Sequence, residues 1–474
     1  MSTTRPTATT SDTPHDTGTP TINRALAFAT VGLALLMMSV DSTIVATALH
    51  ALQRGLHTSI NWVGWTITAY SFGFVLMLPI TGRLSERYGR RRVFRVSVVV
   101  FTSASLCCAL AQDIYMLIVL RALQAAGGAG FTPSATGIVV DYFGDMRDRA
   151  VSLFGSIFPV GAMIGPIFGG LFVRYWSWRG VFFVNVPIGI AILLMALRHI
   201  PRDPPHARDT AARMDVAGML LLGVGLLAGM LAASCLGERH TTVAAPLFVA
   251  PLAVAAACIT LFFRHIHRRT EPFLAPQLVH GSDFGAVNLF NMLVGGITLG
   301  SVALVPLYAA NRYGLDALSA GTLLVAEGAA AIVMTLTSAF ALRRTGHRPL
   351  LYAGGTVIVC GMLLLASHPL AGISPYAWLA GATLLIGAGY GTTNPASRNA
   401  GLQLAPQRSS TIAALRTMCL QVGSISTVSV ATAIIASASA PGSVQSRCYT
   451  VAALVVLAAM MLIVRRVPEH RGSW

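Results

Sequence analysis

The residues of this 474-residue chain best placed to do chemistry are the few ionisable side chains inside its long apolar stretches: Asp41, Arg121 and Glu327. A charge at a helix centre in lipid costs roughly 2.5 to 3.5 kcal/mol on insertion scales, and packing alone does not require it. A carboxylate held there can exchange a cationic partner for a proton, which is carrier chemistry rather than covalent catalysis. Asp41 lies about seven residues from the outer end of its run and Arg121 about seven from the outer end of its own. At ~1.5 Å per residue both are expected roughly 10 Å below the outer boundary, in one layer. Glu327 is about nine residues from its outer end, roughly 14 Å down and close to the midplane. It can hold a proton or a cationic solute there; the bland alternative is a neutral acid hydrogen-bonded to a neighbouring helix, and for Asp41 a static ion pair.

The elements that must position these groups are membrane helices. With 54% hydrophobic and 11% charged residues and a mean hydropathy of +0.68, the chain is too apolar for a water-soluble globule. Fourteen apolar runs are read in three groups: six within residues 23–200, two within 201–282 after a polar, proline-bearing linker, and six within 283–466. Residues 1–22, rich in Thr, Pro and Asp, read as a disordered tail, 467–474 as a second tail, and the first run as a signal-anchor helix. Every one of the 33 basic Lys or Arg residues is Arg. Roughly three in four of them fall in the tails and even-numbered loops, which sets both termini in the cytoplasm by the positive-inside rule. The net charge of +16 is thus a membrane-orientation signal and not a nucleic-acid signature. Six arginines lie in odd-numbered loops, and Arg121, Arg398 and Arg416 within or at the edge of spans. The seven Cys show no metal or redox spacing and read as buried thiols.

Several stretches carry a narrower signal. Residues 161–170 read GAMIGPIFGG: Gly161, Gly165 and Gly169 share one helix face, Gly170 follows, and Pro166 removes a hydrogen bond to the Ala162 carbonyl and marks a bend. Gly82-Arg-Leu-Ser-Glu86-Arg87-Tyr-Gly89-Arg90 follows the second run. There Gly82 permits a tight exit from the helix, and Glu86 can accept hydrogen bonds at a neighbouring helix N-terminus. A fainter echo, Arg344, Gly346 and Arg348, lies half a chain later and suggests an internal repeat. The pattern at 161–170 resembles the fifth-helix antiporter motif of the major facilitator superfamily, and the basic stretch is similar to that family's second-loop motif, with Glu86 where Asp is usual. Asp41 to His50, Arg121 to Gly127 and Trp178 to Gly189 look like motifs of its fourteen-helix drug:proton antiporters. The resemblance covers nearly the whole chain.

That resemblance implies an all-α membrane protein with the major facilitator fold, two six-helix bundles and two extra central helices, 14 transmembrane helices in all. It implies proton-coupled export of amphipathic small molecules across the plasma (inner) membrane. Within it Asp41, Arg121 and Glu327 are the proton-coupling residues, and Asp41, Tyr70, Gln124 and Glu327 the substrate cavity. Gating falls to Gly82, Glu86, Arg87, Gly89, Arg90, Gly161, Gly165, Pro166, Gly169 and Gly170, the bent fifth helix closing against the facing bundle through its glycine face. The expected partners are a small-molecule substrate, protons and the lipid bilayer, with no nucleic acid; a periplasmic adaptor is left open.

Other functions fit less well. Gly387-Ala-Gly389-Tyr-Gly391 lacks the strand and lysine of a phosphate-binding loop, and no lysine occurs anywhere, so these glycines read as a helix-packing face. Several of the twelve histidines sit in basic loops, where a solvated charge is read over a metal site; no cofactor, metal site or enzyme is read. An importer or symporter of a polar solute is the main alternative to export, and the proline-glycine motif favours export.

Overall fold

A computed structural model of the chain describes residues 23–58, 60–201, 203, 215–236, 246–269, 272, 274–315, 317–436, 438, 440–467 and 469. The tail read at 1–22, and most of 201–214 and 467–474, lie outside these residues. The first half of the chain folds as α1 (Arg24–Gly55), α2 (Ile60–Tyr88), α3 (Arg90–Ala109), α4 (Ile114–Gly128), α5 (Phe131–Tyr142), α6 (Arg147–Tyr175), α7 (Gly180–Phe183) and α8 (Asn185–His199). Then come α9 (Val216–Leu236), α10 (Pro246–Arg268) and the short α11 (Pro276–His280). The second half comprises α12 (Ser282–Phe290), α13 (Ile297–Ala303), α14 (Val305–Tyr313), α15 (Ala317–Thr345), α16 (His347–Ala366), α17 (Pro375–Leu404), α18 (Ser409–Ala436) and α19 (Pro441–Ile463). A π-helical turn, Asn291–Gly296, joins α12 to α13.

Among the described residues, 10 helices are long and apolar enough to cross a membrane. Their outward faces are apolar, as Val96, Val99 and Leu106 on α3 and Leu247 and Leu261 on α10 are, which suits lipid and not water. The runs read around α6, α9, α17 and α18 are helical but lie outside those ten, so fourteen crossings remain an expectation. Two other expectations change. Only Cys108 is buried among the described cysteines, while Cys107 and Cys360 are exposed on helix surfaces. And α2 runs on through Gly82 to Tyr88, so this glycine is no helix exit; a Cβ there would meet Ala414 Cβ at 2.8 Å, and its absence lets α2 lie against α18.

Each half has its own apolar core, around Leu35, Phe94, Phe101 and Phe154 in the first and around Phe290, Tyr308, Ile386 and Tyr449 in the second. α9 and α10 add Leu222 and Phe262 to the first. The two halves also repeat a backbone device at the Arg-rich end. Gly89, at φ +98°, opens α3, and Gly346, at φ +81°, opens α16, a conformation that glycine adopts without strain. Two consecutive amides of the first helical turn then donate to a single carboxylate, one position later in the first half than in the second: Arg91 N and Arg92 N to Asp203 at 2.9 and 3.2 Å, His347 N and Arg348 N to Glu469 at 3.0 and 3.1 Å. Asp203 follows α8 and Glu469 follows α19, so equivalent helices close on equivalent chain segments. The echo between Arg87-Tyr-Gly89-Arg-Arg91 and Arg344-Thr-Gly346-His-Arg348 has this structural basis.

Candidate functional site

Asp41 lies near the middle of α1 and is fully buried, as is Arg121 of α4. Arg121 Nη1 donates to Asp41 Oδ2 at 2.8 Å and to Gln124 Oε1 at 2.7 Å. Gln124 Nε2 donates to Asp41 Oδ1 at 2.9 Å and to Ser105 Oγ at 2.7 Å; Asn185 Nδ2, at the start of α8, donates to the same Asp41 oxygen at 2.7 Å. The carboxylate thus takes three donors from α4 and α8, which compensates its transfer out of water. Breaking such a buried pair by removing one partner costs about 3–5 kcal/mol. On its other side the Arg121 guanidinium lies 4.1 Å from the centre of the Tyr70 ring and 5.6 Å from that of Phe182. Its Nε and the Tyr70 hydroxyl have no acceptor or donor among the described residues.

The pair was legible as one layer, and Arg121 and Asp41 meet as expected. α1 itself continues past Leu49 to Gly55, so Asp41 lies roughly 20 Å from the helix end at ~1.5 Å per residue, farther than from the end of the apolar run. Asn185 and Ser105 were missed as site residues. Asn185 stood in a quoted motif, but an amide inside an apolar run announces no partner.

The proline-glycine stretch packs differently from the expectation. α6 is unbroken through position 166, and the side chains of Pro166 and Gly170 lie outside the described residues. Gly161 and Gly165 face α1 of the same half: a Cβ at Gly161 would press on the Ser39 side chain, and one at Gly165 on Thr43 Cβ and Val40 O, both at 3.1 Å. Ser39 Oγ donates to Phe158 O at 2.9 Å across the same seam. The glycine face is therefore the α1–α6 joint, adjoining Asp41, and not a contact with the other half. That contact is made by Pro159 and Met163, against Gly328 of α15, with Met163 Sδ 2.8 Å from where a Gly328 Cβ would stand.

Hydrogen bonds between the halves, among the described residues, cluster at the Arg-rich end. Glu86 of α2 accepts from Thr411 N at 2.9 Å and from Thr411 Oγ1 at 2.8 Å, at the N-terminus of α18, and Ser410 Oγ reaches Ser85 Oγ at 3.4 Å. Arg398 Nη1 donates to Val151 O at 3.2 Å and Asn399 Nδ2 to Ser152 Oγ at 2.9 Å. Arg90 bonds within its own half to the Gly137 carbonyl and to Asp141, the latter at 2.6 Å, and its Nη2 donates across the halves to Gln407 O at 3.5 Å. The structure is closed at this end.

Glu327 is half-buried on α15, and no hydrogen bond or ion pair holds its carboxylate among the described residues. Gly387 of α17 backs directly onto the Glu327 backbone, and Gly391 onto that of Ala331, so these glycines are a helix-packing face. Further along α17 come Tyr390, Asn394 and Arg398, four residues apart on one face. Tyr390 bonds Asn394 and lies within electrostatic range of Glu327, Arg398 and Arg416. Arg416 of α18 donates to Asn394 Oδ1 at 3.0 Å, and Ser397 Oγ donates to Asn291 Oδ1, in the π turn, at 3.1 Å. The structure thus brings Asp41, Arg121, Gln124 and Tyr70 together in the first half and sets Glu327 apart in a second polar cluster. Arg398 and Arg416 belong to that cluster and were visible in the sequence only as arginines within spans.

An all-helical, two-half membrane fold with a buried ion pair in one half defines a class of carrier, and comparison with known proteins agrees. The sequence profile of the Major Facilitator Superfamily matches residues 31–428, and the chain belongs to that family. It is 29% identical over 332 residues to Multidrug resistance protein B homolog of Mycobacterium tuberculosis, covering 70% of this chain and 61% of the relative. It is 28% identical over 343 residues to Multidrug resistance protein 3 of Bacillus subtilis (72% and 66%), and 29% over 341 residues to the Tetracenomycin C resistance and export protein of Streptomyces glaucescens (71% and 61%). The matches therefore span 61% to 66% of the length of these curated relatives. In fold it matches the human organic anion transporter MFSD10 (TETRAN) with a TM-score of 0.69 at 15% identity, over 93% of this chain and 99% of the other. Against the proton:xylose symporter XylE the TM-score is 0.66 at 13% identity, over 94% and 96%.

Proposed function

We propose that this protein is a proton-coupled exporter of amphipathic small molecules. In this reading fourteen helices cross the plasma membrane with both termini cytoplasmic: bundles at 23–200 and 283–466, joined by two extra helices within 201–282. The observation that carries the reading is the Asp41 carboxylate, buried in the apolar interior yet held by Arg121, Gln124 and Asn185. Nothing in packing requires a charge pair there, and a proton can replace Arg121 as the partner of Oδ2. The freed guanidinium then has Gln124 and the Tyr70 ring beside it, so the swap does not strand a bare charge. The α1–α6 joint adjoins Asp41, and α6 also touches α15, which gives a path from protonation to the contact between halves. Glu86, Arg87 and Arg90, with Gly82 and Gly89, would govern opening at the Arg-rich end, and Pro166 with Gly169 and Gly170 the bend of α6. The names of the relatives, two multidrug resistance proteins and one Tetracenomycin C resistance and export protein, support export over uptake.

The test is dye and antibiotic accumulation in an efflux-deficient host, with and without a protonophore. Wild type should lower accumulation, the protonophore should abolish the difference, and Asp41→Asn should behave as the empty host while reaching wild-type abundance. An Asp41→Asn variant that still exports against a gradient removes the proton-swap mechanism.

A further inference from the structure

Two buried cations in the second half lack a counter-charge. Arg398 and Arg416 are each 6% exposed, and among the described residues neither forms an ion pair. Their hydrogen-bond acceptors are neutral: the Val151 carbonyl for Arg398, Asn394 Oδ1 and Ser397 Oγ for Arg416. The electrostatic neighbours of Arg398 are Arg416 and Tyr390, and those of Arg416 are Tyr390 and Cys419; none is an acid. Arginine stays protonated in a protein interior, so burial does not remove the charge. A like-charged pair in the apolar core is the arrangement that a static structure avoids.

Both side chains also line a small void of about 10 Å³, room for a single water in this closed form. It lies between the halves at the Arg-rich end, lined by Arg398 and Arg416 from α17 and α18 and by Thr132 and Thr136 from α5. Among the described residues, the Thr132 hydroxyl, on a residue 4% exposed, and Arg416 Nε have no hydrogen-bond partner. Unused donors and surplus positive charge thus meet in one place, walled by the half that must move away when this end opens.

We infer that Arg398 and Arg416 form a binding site for the anionic group, a carboxylate or sulfonate, of an amphipathic organic solute. Two guanidiniums suit the planar or trigonal oxygens of such a group, to which they present paired N–H donors. Parting of the halves at the Arg-rich end widens the cavity and presents both cations to that side, while the closed form is too tight for the solute. The inference deepens the transport reading, on which it rests in that the halves must part. The solute's polar body would lie along Asn394 and Tyr390 toward Glu327, so a zwitterion, with its cation at Glu327, suits the whole face.

The experiment measures binding and not transport, so failure of export does not decide it. Full-length protein in phosphatidylcholine nanodiscs is titrated with fluorescein, an anionic xanthene dye, and with rhodamine 123, its cationic analogue, by fluorescence anisotropy. Wild type should bind fluorescein, Arg416→Gln and Arg398→Gln should weaken it at least about tenfold, and rhodamine 123 binding should not weaken. Arg416→Lys, which keeps the charge, should retain more fluorescein binding than Arg416→Gln. On the wild type alone, benzenesulfonate should displace fluorescein and benzylammonium should not, a comparison that needs no variant to fold. Adding phosphatidylglycerol to the discs should leave fluorescein bound; its displacement would make a lipid headgroup the occupant and overturn the inference. No fluorescein binding to wild type, equal loss of both dyes, or fluorescein affinity unchanged in folded glutamine variants would also overturn it, the last leaving Arg398 and Arg416 as struts between the halves.

Discussion

Asn185 and Gln124 donate to the same oxygen of Asp41, at 2.7 and 2.9 Å, so that Oδ2 alone is left to Arg121. The two amides come from α8 and α4 and hold the carboxylate in one orientation whichever partner its second oxygen has.

Asn185→Leu removes one of these donors without removing a charge. A hydrogen bond to a charged group contributes about 1.5–3 kcal/mol, so the variant should export roughly ten- to a hundredfold more slowly in proteoliposomes with an imposed proton gradient, at normal abundance. Wild-type rates would show that Asn185 is spare.

The Glu86–Thr411 contact ties the two halves together at the Arg-rich end. Glu86→Ala deletes both of its hydrogen bonds and should shift the population toward opening at that end by about tenfold or more. Labelling of a cysteine placed at the buried Ser410, in a chain cleared of native cysteines, by a charged thiol reagent reads that shift directly. Unchanged labelling would mean that other contacts keep the end closed.

Gly161→Ala drives a methyl group into Ser39 across the α1–α6 joint and should destabilise the protein by about 1–3 kcal/mol. Ser39→Gly should restore much of the lost thermal stability in the double variant, since the clash is with that side chain. If it does not, Gly161 is needed for something other than close approach to α1.

Glu327→Gln keeps shape and removes charge at a carboxylate that forms no ion pair among the described residues. Accumulation assays should show loss of export for the cation ethidium with neutral compounds largely spared. Equal loss of both would move Glu327 to the proton path, and no loss of either would take it out of the site.

The sequence made the helices legible because lipid demands long apolar runs, and it made Asp41 and Arg121 conspicuous because a charge in such a run has no structural excuse. The end of α1 was less legible, since the helix continues for a further turn and a half through mixed residues such as Gln53 and Arg54. Partners were least legible. Gly161 and Gly165 announce a close neighbour without saying which, and the neighbour is α1. The acid for Arg91 N lies 112 residues away and that for His347 N 122, beyond any local periodicity. Arg398 and Arg416 were apparent as arginines in spans, but their lack of acids is a property of three-dimensional neighbours.

The two carboxylate clasps also order events during synthesis. The amides that open α3 are made early, yet Asp203 emerges only after α8, so the first half cannot be fastened until its last helix has left the ribosome. Glu469 imposes the same delay on α16, which waits for α19. A chain built in the N-to-C direction therefore completes one closed module before the next begins to close, and the residue that ends each module in sequence is the one that locks it.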